Sequence, residues 1–578
     1  MKIIENIKKL FSKFGKKKKP WHKYYPKDKR TIDVPDMSLY KYIYSCNVNR
    51  MSNSAINYFG NKMSYSSLFK EIDLCARALR SQGIRQGDVV SICMANTPEA
   101  VISFYAVSKI GAIANMIHPL SSEEEIKHSL NSTKSVMMIA INVTYANIMS
   151  VIDDTPVYKV VIVSPRDSMP TLTGIGYFLL QDRKINIPSK SEKFVKWKDF
   201  ISKGAAYDQD VEVETRKDDP AVILHSGGTT GTPKNIVLSN GNLNVVPEQA
   251  KIALYDLDDT DKMLCILPLF HCFGLVETIH FPLGSGEELI LIPRFDAKKF
   301  DKLITKYEPT VIPGVPTLFE ALIKNKHMQN ADMSFVKYIV SGGDSLSAEK
   351  NIEVNEFLKA HHCKHNIVQG YGLTETSGGC IFPTHGTDLP GSIGIPLPGN
   401  DIKIIDVNTK EELPPNGKGE ILISGPSVMM GYLDNEKETN EILERDENGK
   451  IWVHTGDMGY VNEDGIVFFV QRIKRLIIVS GYNVFPSHIE NVLNEHEYVL
   501  NSCVIGVPHP YKIQVPKAFI VLKDGKKPTL KVKNEIKEYC EKNLSKYMIP
   551  KEFVFRESLP KTMIGKIDFK KLEEEEKN

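Results

Sequence analysis

The segment from residue 226 to residue 234 reads SGGTTGTPK and combines three glycines with hydroxyl side chains and one lysine. Glycines let backbone N–H groups turn toward an anion, hydroxyls add hydrogen-bond donors, and a lysine supplies a compact positive charge. The composition therefore predicts a loop that binds phosphate. When such a segment stands alone, a flexible surface loop of glycine and threonine is the alternative.

The elements on either side of this loop distinguish it from the P-loop of NTPases. Buried strands are predicted at 221–224 and 236–238, the second ended by a turn at 240–241. A P-loop requires GxxxxGK[ST], with the lysine directly after the last glycine and a helix beneath the phosphate. Here two residues separate Gly231 from Lys234, so the sequence predicts a strand, a loop and a second strand.

Length and composition set the frame for this loop. The 578 residues are too many for one core and predict a large body of two or three packed subdomains plus a smaller unit. With 42% hydrophobic and 25% charged residues, the composition is that of a soluble globular protein. Nine scattered cysteines, none in a CxxC pair, predict reduced thiols in a cytoplasmic protein without a zinc or disulfide framework.

The N-terminal 30 residues differ from the rest in charge. They hold twelve Lys and Arg against two acidic residues, or +10, whereas the remaining residues hold 61 against 69, or −8. Apolar residues recur at helical spacing from Ile3 to Phe14, and no run is long enough for a signal peptide or a membrane span. We expect a basic amphipathic arm over 1–30 with peripheral contact to the inner face of the membrane through residues 1–20; the alternative is a solubilising or disordered tail. Nucleic-acid binding is not expected, because the body is acidic and no recognition motif accompanies the basic run.

Helical and strand patterns alternate in the first half of the chain, which predicts an α/β fold. The expected elements are helices at 66–83 and 100–111 and strands at 89–94, 136–141 and 160–163. Residues 165–215 read as polar and irregular, 401–470 as β-rich, and the residues after Arg472 as a smaller α+β unit. We therefore predict a large N-terminal domain of packed α/β subdomains with a β-rich subdomain (31–471), followed by a small mobile α+β C-terminal domain (472–578).

Further motifs follow the glycine-rich loop. In chain order they are LPLFH at 267–271, SGGDSL at 341–346, QGYGLTET at 369–376, GE at 419–420, GY at 431–432, WVHTGD at 452–457, RIK at 472–474, SGY at 480–482, LPKT at 559–562 and GKI at 565–567. The ordered set is similar to the AMP-forming acyl-CoA synthetases of the adenylate-forming superfamily, which includes firefly luciferase and peptide-synthetase adenylation domains. The resemblance covers essentially residues 35–572. It is closest to bacterial long-chain fatty-acid CoA ligases, through the GGTTG form of the loop and the segment 194–200.

The resemblance implies an acid–thiol ligase, an AMP-forming fatty acyl-CoA synthetase. Such an enzyme joins a carboxylic acid to the α-phosphate of ATP, releases pyrophosphate, and then transfers the acyl group from acyl-AMP to CoA with release of AMP. The implied cofactors are ATP, Mg²⁺ and CoA, and the implied substrate is a medium- or long-chain fatty acid. Because two anions are brought together, the site has to neutralise charge and fix geometry.

The resemblance also assigns the contacts to phosphate and metal. Thr229, Thr230, Gly231 and Lys234 would cradle the β- and γ-phosphates, and Glu375 with Thr230 would hold Mg²⁺, for which a hard carboxylate is a suitable ligand. A glutamate beside a threonine is usually solvated or a helix cap, but the flanking GYGLT sequence reverses that expectation.

Other motifs would enclose the nucleotide and the acyl group. By resemblance, the ring of Tyr371 stacks against adenine, and Asp457 and Arg472 bind the ribose. The backbone and small side chains that would approach the ligands closely are those of Gly343, Asp344, Gly370, Gly372 and Thr374. Acetate-specific relatives have tryptophan at the position of Gly372, so glycine there favours a longer acyl chain.

His271 occupies the place of an aromatic or histidine gate between the nucleotide and the acyl tunnel. The alternative is a hydrogen-bonded histidine of the core, which is the commoner fate of a histidine in an apolar run. No acid–base role is expected for it, because the carboxylic acid substrate is already ionised at neutral pH.

The C-terminal motifs imply a change of conformation between the two half-reactions. Lys566 matches the lysine that bridges the carboxylate and the α-phosphate during adenylation. The small domain would then swing about a hinge at Lys474, withdraw that lysine and present the loop around Gly481, where glycine leaves room for pantetheine.

Two other functions stay open. The sequence departs from the family pattern at Asn235, Gln471, Ile513, Gln514 and Phe569, and such changes would alter turn geometry, domain docking or the acceptor. The alternative reaction is therefore transfer of the acyl group to the pantetheine of a carrier protein. The alternative class is a catalytically silent lipid or nucleotide sensor, which would have no need for Lys566.

Overall fold

The computed structural model of the chain describes residues 19–180, 182–185, 192–226, 234–329, 331–384, 386–479, 482–509, 513–562 and 566–577. Over these ranges, three sheets pack into a large domain and a fourth sheet belongs to a small C-terminal domain. The predicted site residues Thr229, Thr230, Gly231 and Gly481 lie outside the described residues.

The first sheet has eight strands and is parallel through its centre. In spatial order they are Gly431–Tyr432, Lys234–Ser239, Pro220–Ser226, Ile113–Met116, Val89–Cys93, Met137–Ile141, Lys159–Val163 and Phe194–Lys196. The strands before and after the glycine-rich loop pair antiparallel, with Ser226 opposite Lys234. The predicted strands before and after the glycine-rich loop are therefore confirmed.

The second sheet has seven strands and is parallel except for a hairpin at one edge. In spatial order they are Ile367–Gln369, Tyr338–Ser341, Val311–Gly314, Lys262–Cys265, Glu288–Leu291, Ser54–Tyr58 and Asn61–Ser64. Its strands read as apolar runs because helices cover both faces. The largest hydrophobic core lies between this sheet and the first one.

The third sheet is antiparallel and forms the β-rich part of the large domain. Its strands are Tyr371–Leu373, Gly378–Phe382, Ser392–Pro396, Val467–Arg472, Ile451–Val461, Gly419–Ser424 and Asp401–Ile405, with Leu443–Arg445 paired to Ile451–Val461. The register places Asp457 opposite Arg472, so two predicted ribose-binding residues are cross-strand neighbours.

The small C-terminal domain has a five-stranded sheet with its own hydrophobic core. Its strands are Tyr482–Val484, Ile477–Val479, Ile513–Leu522, Val499–His509 and Glu552–Phe555. Two long helices, Pro486–Asn494 and Leu530–Asn543, pack on it, and the helix Phe569–Glu575 follows Lys566.

Several helices of the large domain begin at a polar residue whose side chain caps the first turn, for example Ser38, Ser64 and Thr97. The bounds of these and the other described helices are Leu39–Asn47, Tyr65–Ser81, Pro98–Lys109, Glu123–Ser132, Tyr145–Val151, Thr171–Leu180, Trp197–Ala205, Asn240–Ala253, Phe281–Ser285, Phe300–Tyr307, Pro316–Lys324, Ala348–Ala360 and Glu436–Ile442. The segment Phe273–His280 is wound as a π-helix, a rare form that often occurs at functional sites. No helix in the described part of the chain combines the length and the apolar composition that a membrane crossing requires.

Two sequence predictions about local structure are wrong. The strand Lys234–Ser239 is followed by a helix and not by a turn, because the Ser239 hydroxyl caps the N–H of Asn242 at 3.2 Å. Residues 165–215 are not irregular throughout: they contain the helix Thr171–Leu180, a strand and the helix Trp197–Ala205. In the second helix Trp197 and Phe200 are buried, so tertiary packing supplies what the local pattern did not indicate.

Residues 19–30 of the predicted arm lie against the antiparallel sheet, whereas residues 1–18 lie outside the described ranges. Trp21 and Tyr25 are buried in the core of that sheet, and the Tyr25 hydroxyl donates a hydrogen bond to the carbonyl of Pro396 at 3.2 Å. The start of Pro20–Tyr24 also lies close to Gly465, in the turn between the strands Ile451–Val461 and Val467–Arg472. The segment is thus part of the large domain's packing.

We predict that Trp21→Ala destabilises the large domain by about 3 kcal/mol, the usual cost of deleting a buried large aromatic side chain. The measurement is the melting temperature by differential scanning fluorimetry, compared with Lys29→Ala, an exposed position in the same segment. Equal melting temperatures for the two variants would contradict the packing described for residues 19–30.

Candidate active site

A cleft of about 1760 Å³ opens between the large domain and the small domain. It lies at the carboxyl ends of the parallel strands Val311–Gly314, Tyr338–Ser341 and Ile367–Gln369, which is where ligands bind in open α/β sheets. Every predicted site residue that the structure describes lines this cleft. They are Lys234, His271, Gly343, Asp344, Gly370, Tyr371, Gly372, Thr374, Glu375, Asp457, Arg472, Lys474 and Lys566.

Lys234 and Glu375 both contact Tyr432: the ammonium lies over the ring and the carboxylate lies at the hydroxyl. The Lys234 ammonium is 2.6 Å from Oε2 of Glu438 and 4.6 Å from the centre of the Tyr432 ring. The hydroxyl of Tyr432 donates a hydrogen bond to Oε1 of Glu375 at 3.0 Å, and burial together with this carboxylate raises the pKa of the phenol. The cation expected at the phosphates and the carboxylate expected at the metal are therefore joined through Tyr432.

Asp457 is buried and only partly hydrogen-bonded. Its Oδ2 accepts a hydrogen bond from the Tyr371 hydroxyl at 2.8 Å, and its Oδ1 lies 3.5 Å from Nε of Arg472. Within the described residues Oδ1 accepts no hydrogen bond. Burial raises the pKa of this carboxyl, while Arg472 and Tyr371 act in the opposite direction. An unpartnered carboxylate oxygen in a cleft fits a ligand that donates a hydroxyl hydrogen bond.

Lys566 reaches into the cleft from the small domain. Its Cε lies 3.9 Å from the point that a Cβ on Gly343 would occupy. Burial lowers the pKa of the ammonium and Arg472 adds to this effect, whereas Asp344 and Asp457 oppose it. The backbone is fixed by two hydrogen bonds with Thr562, whose N–H donates to the Lys566 carbonyl and whose hydroxyl accepts from the Lys566 N–H. The two domains thus form one site with a lysine placed among carboxylates.

His271 lines the cleft as an uncharged ring. Burial lowers the pKa of its imidazole to about 4, and the charge of Lys566 adds to the shift. Its Nδ1 accepts a weak hydrogen bond from the N–H of Phe273 at 3.3 Å, which leaves the other nitrogen protonated in the neutral tautomer. At neutral pH the side chain offers an aromatic surface and no positive charge.

Lys474 lies in the short turn Ile473–Arg475, directly after the last strand of the antiparallel sheet. Burial lowers the pKa of its ammonium, with contributions from Lys234 and Arg472. The turn connects the two domains, which is the position that the sequence predicts for the hinge; the hinge itself stays a prediction.

One side of the cleft is apolar. Residues of the helix Asn240–Ala253 line it together with strand and loop residues of the two other sheets; they include Val246, Ala250, Leu254, Met263, Phe281, Val311, Phe382 and Leu397. This wall is suited to hold a hydrocarbon chain. Its length does not follow from Gly372, because a Cβ there would lie 1.8 Å from the carbonyl oxygen of Gly378. The hairpin between Tyr371–Leu373 and Gly378–Phe382 therefore requires glycine in any case.

The sequence analysis missed Glu277, a carboxyl on the π-helix that also lines the cleft. Its Oε1 accepts a hydrogen bond from the N–H of Gly379, and Oε2 has no partner among the described residues. Gly378, with φ of +96°, leaves the space in which this carboxyl sits. Burial raises the pKa of Glu277 to about 8. A single acidic residue inside the apolar run FGLVETIHF was the signal that could have identified it.

Three of the departures from the family pattern each have a local partner. Asn235 donates a hydrogen bond to the Ser132 hydroxyl at 2.9 Å, and Gln471 accepts one from Ser487 at 3.2 Å. The ring of Phe569 lies 5.1 Å from the guanidinium carbon of Arg475, a cation–π contact within the small domain. The changes are accommodated by packing and leave the cleft residues in place.

Comparison with known proteins places this cleft in a family. The AMP-binding enzyme family matches residues 45–433, and the AMP-binding enzyme C-terminal domain matches residues 488–566. The long-chain-fatty-acid–CoA ligase of Bacillus subtilis is 34% identical over 570 residues, covering 96% of this chain and 98% of that protein. Luciferin 4-monooxygenase of Nipponoluciola cruciata is 31% identical and covers 89% of each chain. The crystal structure of an ATP-bound RpMatB-BxBclM chimera is 25% identical, with a TM-score of 0.82 over 94% of this chain and 99% of that one.

The chain therefore belongs to the family of AMP-binding enzymes. The predicted class, an AMP-forming acid–thiol ligase of the adenylate-forming superfamily, is confirmed by these relatives. The predicted α/β fold with a small C-terminal domain is confirmed as well. ATP, Mg²⁺ and CoA are the cofactors of that class, as the sequence predicted.

We predict that Glu277→Gln reduces the loss of stability with rising pH. The folded pKa of about 8 lies above the ordinary value of 4.5, so the neutral carboxyl stabilises the fold fully below pH 4.5, and this contribution is lost as pH rises through 8. Between those values the loss amounts to about 1.4 kcal/mol per pH unit. The amide has no charge to develop and should keep its melting temperature better than the wild type does.

The measurement is the melting temperature of both chains in buffers from about pH 5 to about pH 8. Glu447→Gln, at an exposed position, is the matched control and should follow the wild type. A difference between Glu277→Gln and wild type that does not grow with pH would show that Glu277 is ionised in the folded protein.

Proposed function

We propose that this chain activates a medium- or long-chain fatty acid with ATP and then transfers the acyl group to CoA. The observation that carries the proposal is the position of Lys566 among Asp344, Asp457 and Arg472, inside a cleft that also holds Glu375 and Lys234. A nucleotide-binding module would not need a lysine supplied by a second domain. The fatty-acid specificity is supported by the apolar wall of the cleft and by the names of relatives 30–34% identical.

In the first half-reaction, a carboxylate oxygen of the acid attacks the α-phosphorus of ATP. The new bond joins carboxyl oxygen to phosphorus, and the bond from phosphorus to the bridging oxygen of the β-phosphate breaks, so pyrophosphate leaves. Lys566 would lie between the two reacting anions and reduce their repulsion. Lys234, with the loop residues Thr229, Thr230 and Gly231, would hold the leaving pyrophosphate.

The nucleotide would be oriented by the large domain. The unpartnered Oδ1 of Asp457 would accept hydrogen bonds from the ribose hydroxyls, with Arg472 close to the same group. The Tyr371 ring would lie against adenine, while its hydroxyl holds Asp457. Glu375 faces the cleft with one oxygen held by a neutral hydroxyl and fits Mg²⁺, with Thr230 as a second ligand; the ion would supply charge neutralisation at the phosphates. The residues that would approach the nucleotide and the acyl group closely are Gly343, Asp344, Gly370, Gly372 and Thr374.

The second half-reaction would need another arrangement of the two domains. In the described arrangement Lys566 fills the side of the cleft near Gly343, which suits adenylation. Rotation of the domain 472–578 about Lys474 against 31–471 would withdraw this lysine and bring Gly481 toward the adenylate. His271, as a neutral ring between the nucleotide side and the apolar wall, would act as the gate for the acyl group.

We place the enzyme in the cytoplasm, with the arm 1–30 making peripheral contact with the inner face of the membrane through residues 1–20. The support is the charge of that arm, +10 against −8 for the remaining chain. Residues 19–30 pack on the large domain, so such contact would be made close to the body of the enzyme.

We predict that Lys566→Ala separates the half-reactions. Pyrophosphate formation from acid and ATP should fall at least ~100-fold, because a charge that stabilises the developing anion is removed. Conversion of supplied acyl-AMP and CoA to thioester should persist, because the lysine is withdrawn in that step. Lys571→Ala, exposed on the adjacent helix, is the control and should keep both activities. Equal loss of both half-reactions in Lys566→Ala would overturn the proposed alternation of domains.

The acid and the acceptor are tested together by a substrate panel. We expect pyrophosphate release that depends on the acid and is faster with octanoate or palmitate than with acetate, and AMP release that depends on CoA. Pantetheine-loaded carrier protein replaces CoA in a parallel series. Success with carrier protein alone would select the alternative acceptor, and absence of pyrophosphate with every acid would select a sensor.

A further inference from the structure

One surface helix of the large domain carries apolar side chains that the protein leaves exposed. We call Thr171–Leu180, with the sequence TLTGIGYFLL, the apolar helix. It has no charged residue, and none of its residues is buried within the described part of the chain. The exposed fractions are 85% for Leu172, 53% for Ile175, 39% for Phe178, 49% for Leu179 and 68% for Leu180.

The spacing of these side chains makes a continuous surface. Positions 172, 175 and 179 follow one another at helical intervals of three and four, and Phe178 flanks them on the same side. Single exposed leucines are common on soluble proteins, but a cluster of five on ten residues marks an interaction site. The helix Tyr65–Ser81 of the same domain behaves differently, because its Leu68, Ile72 and Leu79 are buried.

The apolar helix is attached to the body of the large domain through the turn that precedes it. The Tyr58 hydroxyl donates a hydrogen bond to the Pro165 carbonyl at 3.1 Å, and Asn61 donates one to the Ser168 carbonyl at 3.0 Å. The Ser168 hydroxyl donates to Glu99 at 2.6 Å. The helix is therefore held as an outward-facing projection, and whatever it binds is fixed relative to the domain.

The sequence around the apolar helix carries a net positive charge. Between residues 166 and 199 the sequence has seven Lys and Arg against four Asp and Glu, or +3, although the chain outside the first 30 residues carries −8. Arg166 lies over the Phe178 ring at 4.6 Å and pairs with Asp182 at 2.7 Å, so a cation stands at the border of the apolar surface. Apolar side chains bordered by cations and aromatic rings are complementary to the interface of an anionic bilayer.

From this charge pattern we propose that the apolar helix docks on the surface of a lipid bilayer containing anionic headgroups. Its ten residues are about 15 Å long, half the thickness of a hydrocarbon core of about 30 Å, so the helix lies in the interface and does not cross. Leu172, Ile175 and Leu179 enter the acyl boundary, and Arg166 stays among the headgroups. This contact is separate from the one proposed for the arm, and it does not depend on the acid or the acceptor.

The test is partitioning of the full chain onto vesicles of phosphatidylcholine with about 30% phosphatidylglycerol, measured by co-sedimentation. The variant Leu172→Gln, Ile175→Gln, Leu179→Gln should bind at least ~10-fold more weakly. The matched control, Leu120→Gln, Ile352→Gln, Leu530→Gln, removes three exposed apolar side chains elsewhere and should bind as the wild type does. A third variant, Lys8→Glu, Lys9→Glu, Lys13→Glu, reverses charges in the arm and separates the two contacts. If this arm variant still binds vesicles and the helix variant does not, the binding is assigned to the apolar helix.

A second measurement covers the case in which the triple variant fails to fold. Leu179→Cys adds an exposed thiol to a chain in which eight of the nine cysteines are buried and Cys46 is half-buried, so it can be labelled selectively with an environment-sensitive fluorophore. The emission should shift to the blue when these vesicles are added. No shift, or unchanged partitioning of a folded triple variant, would overturn the proposal. A shift with rising protein concentration and no lipid would assign the surface to a second copy of the chain and overturn it equally.

Discussion

The site depends on bringing several positive charges into one cleft and balancing them with carboxylates. Lys234, Arg472 and Lys566 line it from three different elements. Lys234 pairs with Glu438, Arg472 lies near Asp457, and the charges of Asp344 and Asp457 act on Lys566. Burial lowers the pKa of the Lys566 ammonium, and the two aspartates oppose this effect. A lysine of the small domain therefore lies in one cleft with aspartates of the large domain, so the domain arrangement and the proposed chemistry are coupled.

The fold positions these groups in two ways, at the ends of parallel strands and across a pair of antiparallel strands. Parallel strands end at the cleft and place backbone and small residues there, at Gly343 and Gly370, where a ligand has to come close. Antiparallel strands instead bring side chains together across a ladder, as with Asp457 and Arg472. The first arrangement gives space and the second gives fixed charge pairs. Both would be needed for the proposed binding of a nucleotide, its phosphates and an acyl chain in one cavity.

Much of this could be predicted from the sequence because the relevant signals are local. Glycine-rich turns, the strands around Lys234 and the motif order identify the family and thirteen residues of one cleft. The features that the sequence did not reveal depend on residues far apart in the chain. Lys234 pairs with Glu438, about two hundred residues later, and the position of Glu277 depends on Gly378 and Gly379, which leave space for its carboxyl. The apolar helix was overlooked because residues around it are polar, and the helix after Ser239 because its cap outweighed a turn signal.

The ion pair between Lys234 and Glu438 has a consequence for turnover. A phosphate that binds Lys234 replaces a carboxylate already 2.6 Å away, so the free energy of the new contact is offset by the contact that is lost. Because one counter-ion would be exchanged for another, the affinity of Lys234 for an anionic product would be moderate. The same carboxylate stands ready to recapture the ammonium when the product departs. Glu438, which belongs to no recognised motif of the sequence, would thereby act as an internal competitor that favours release.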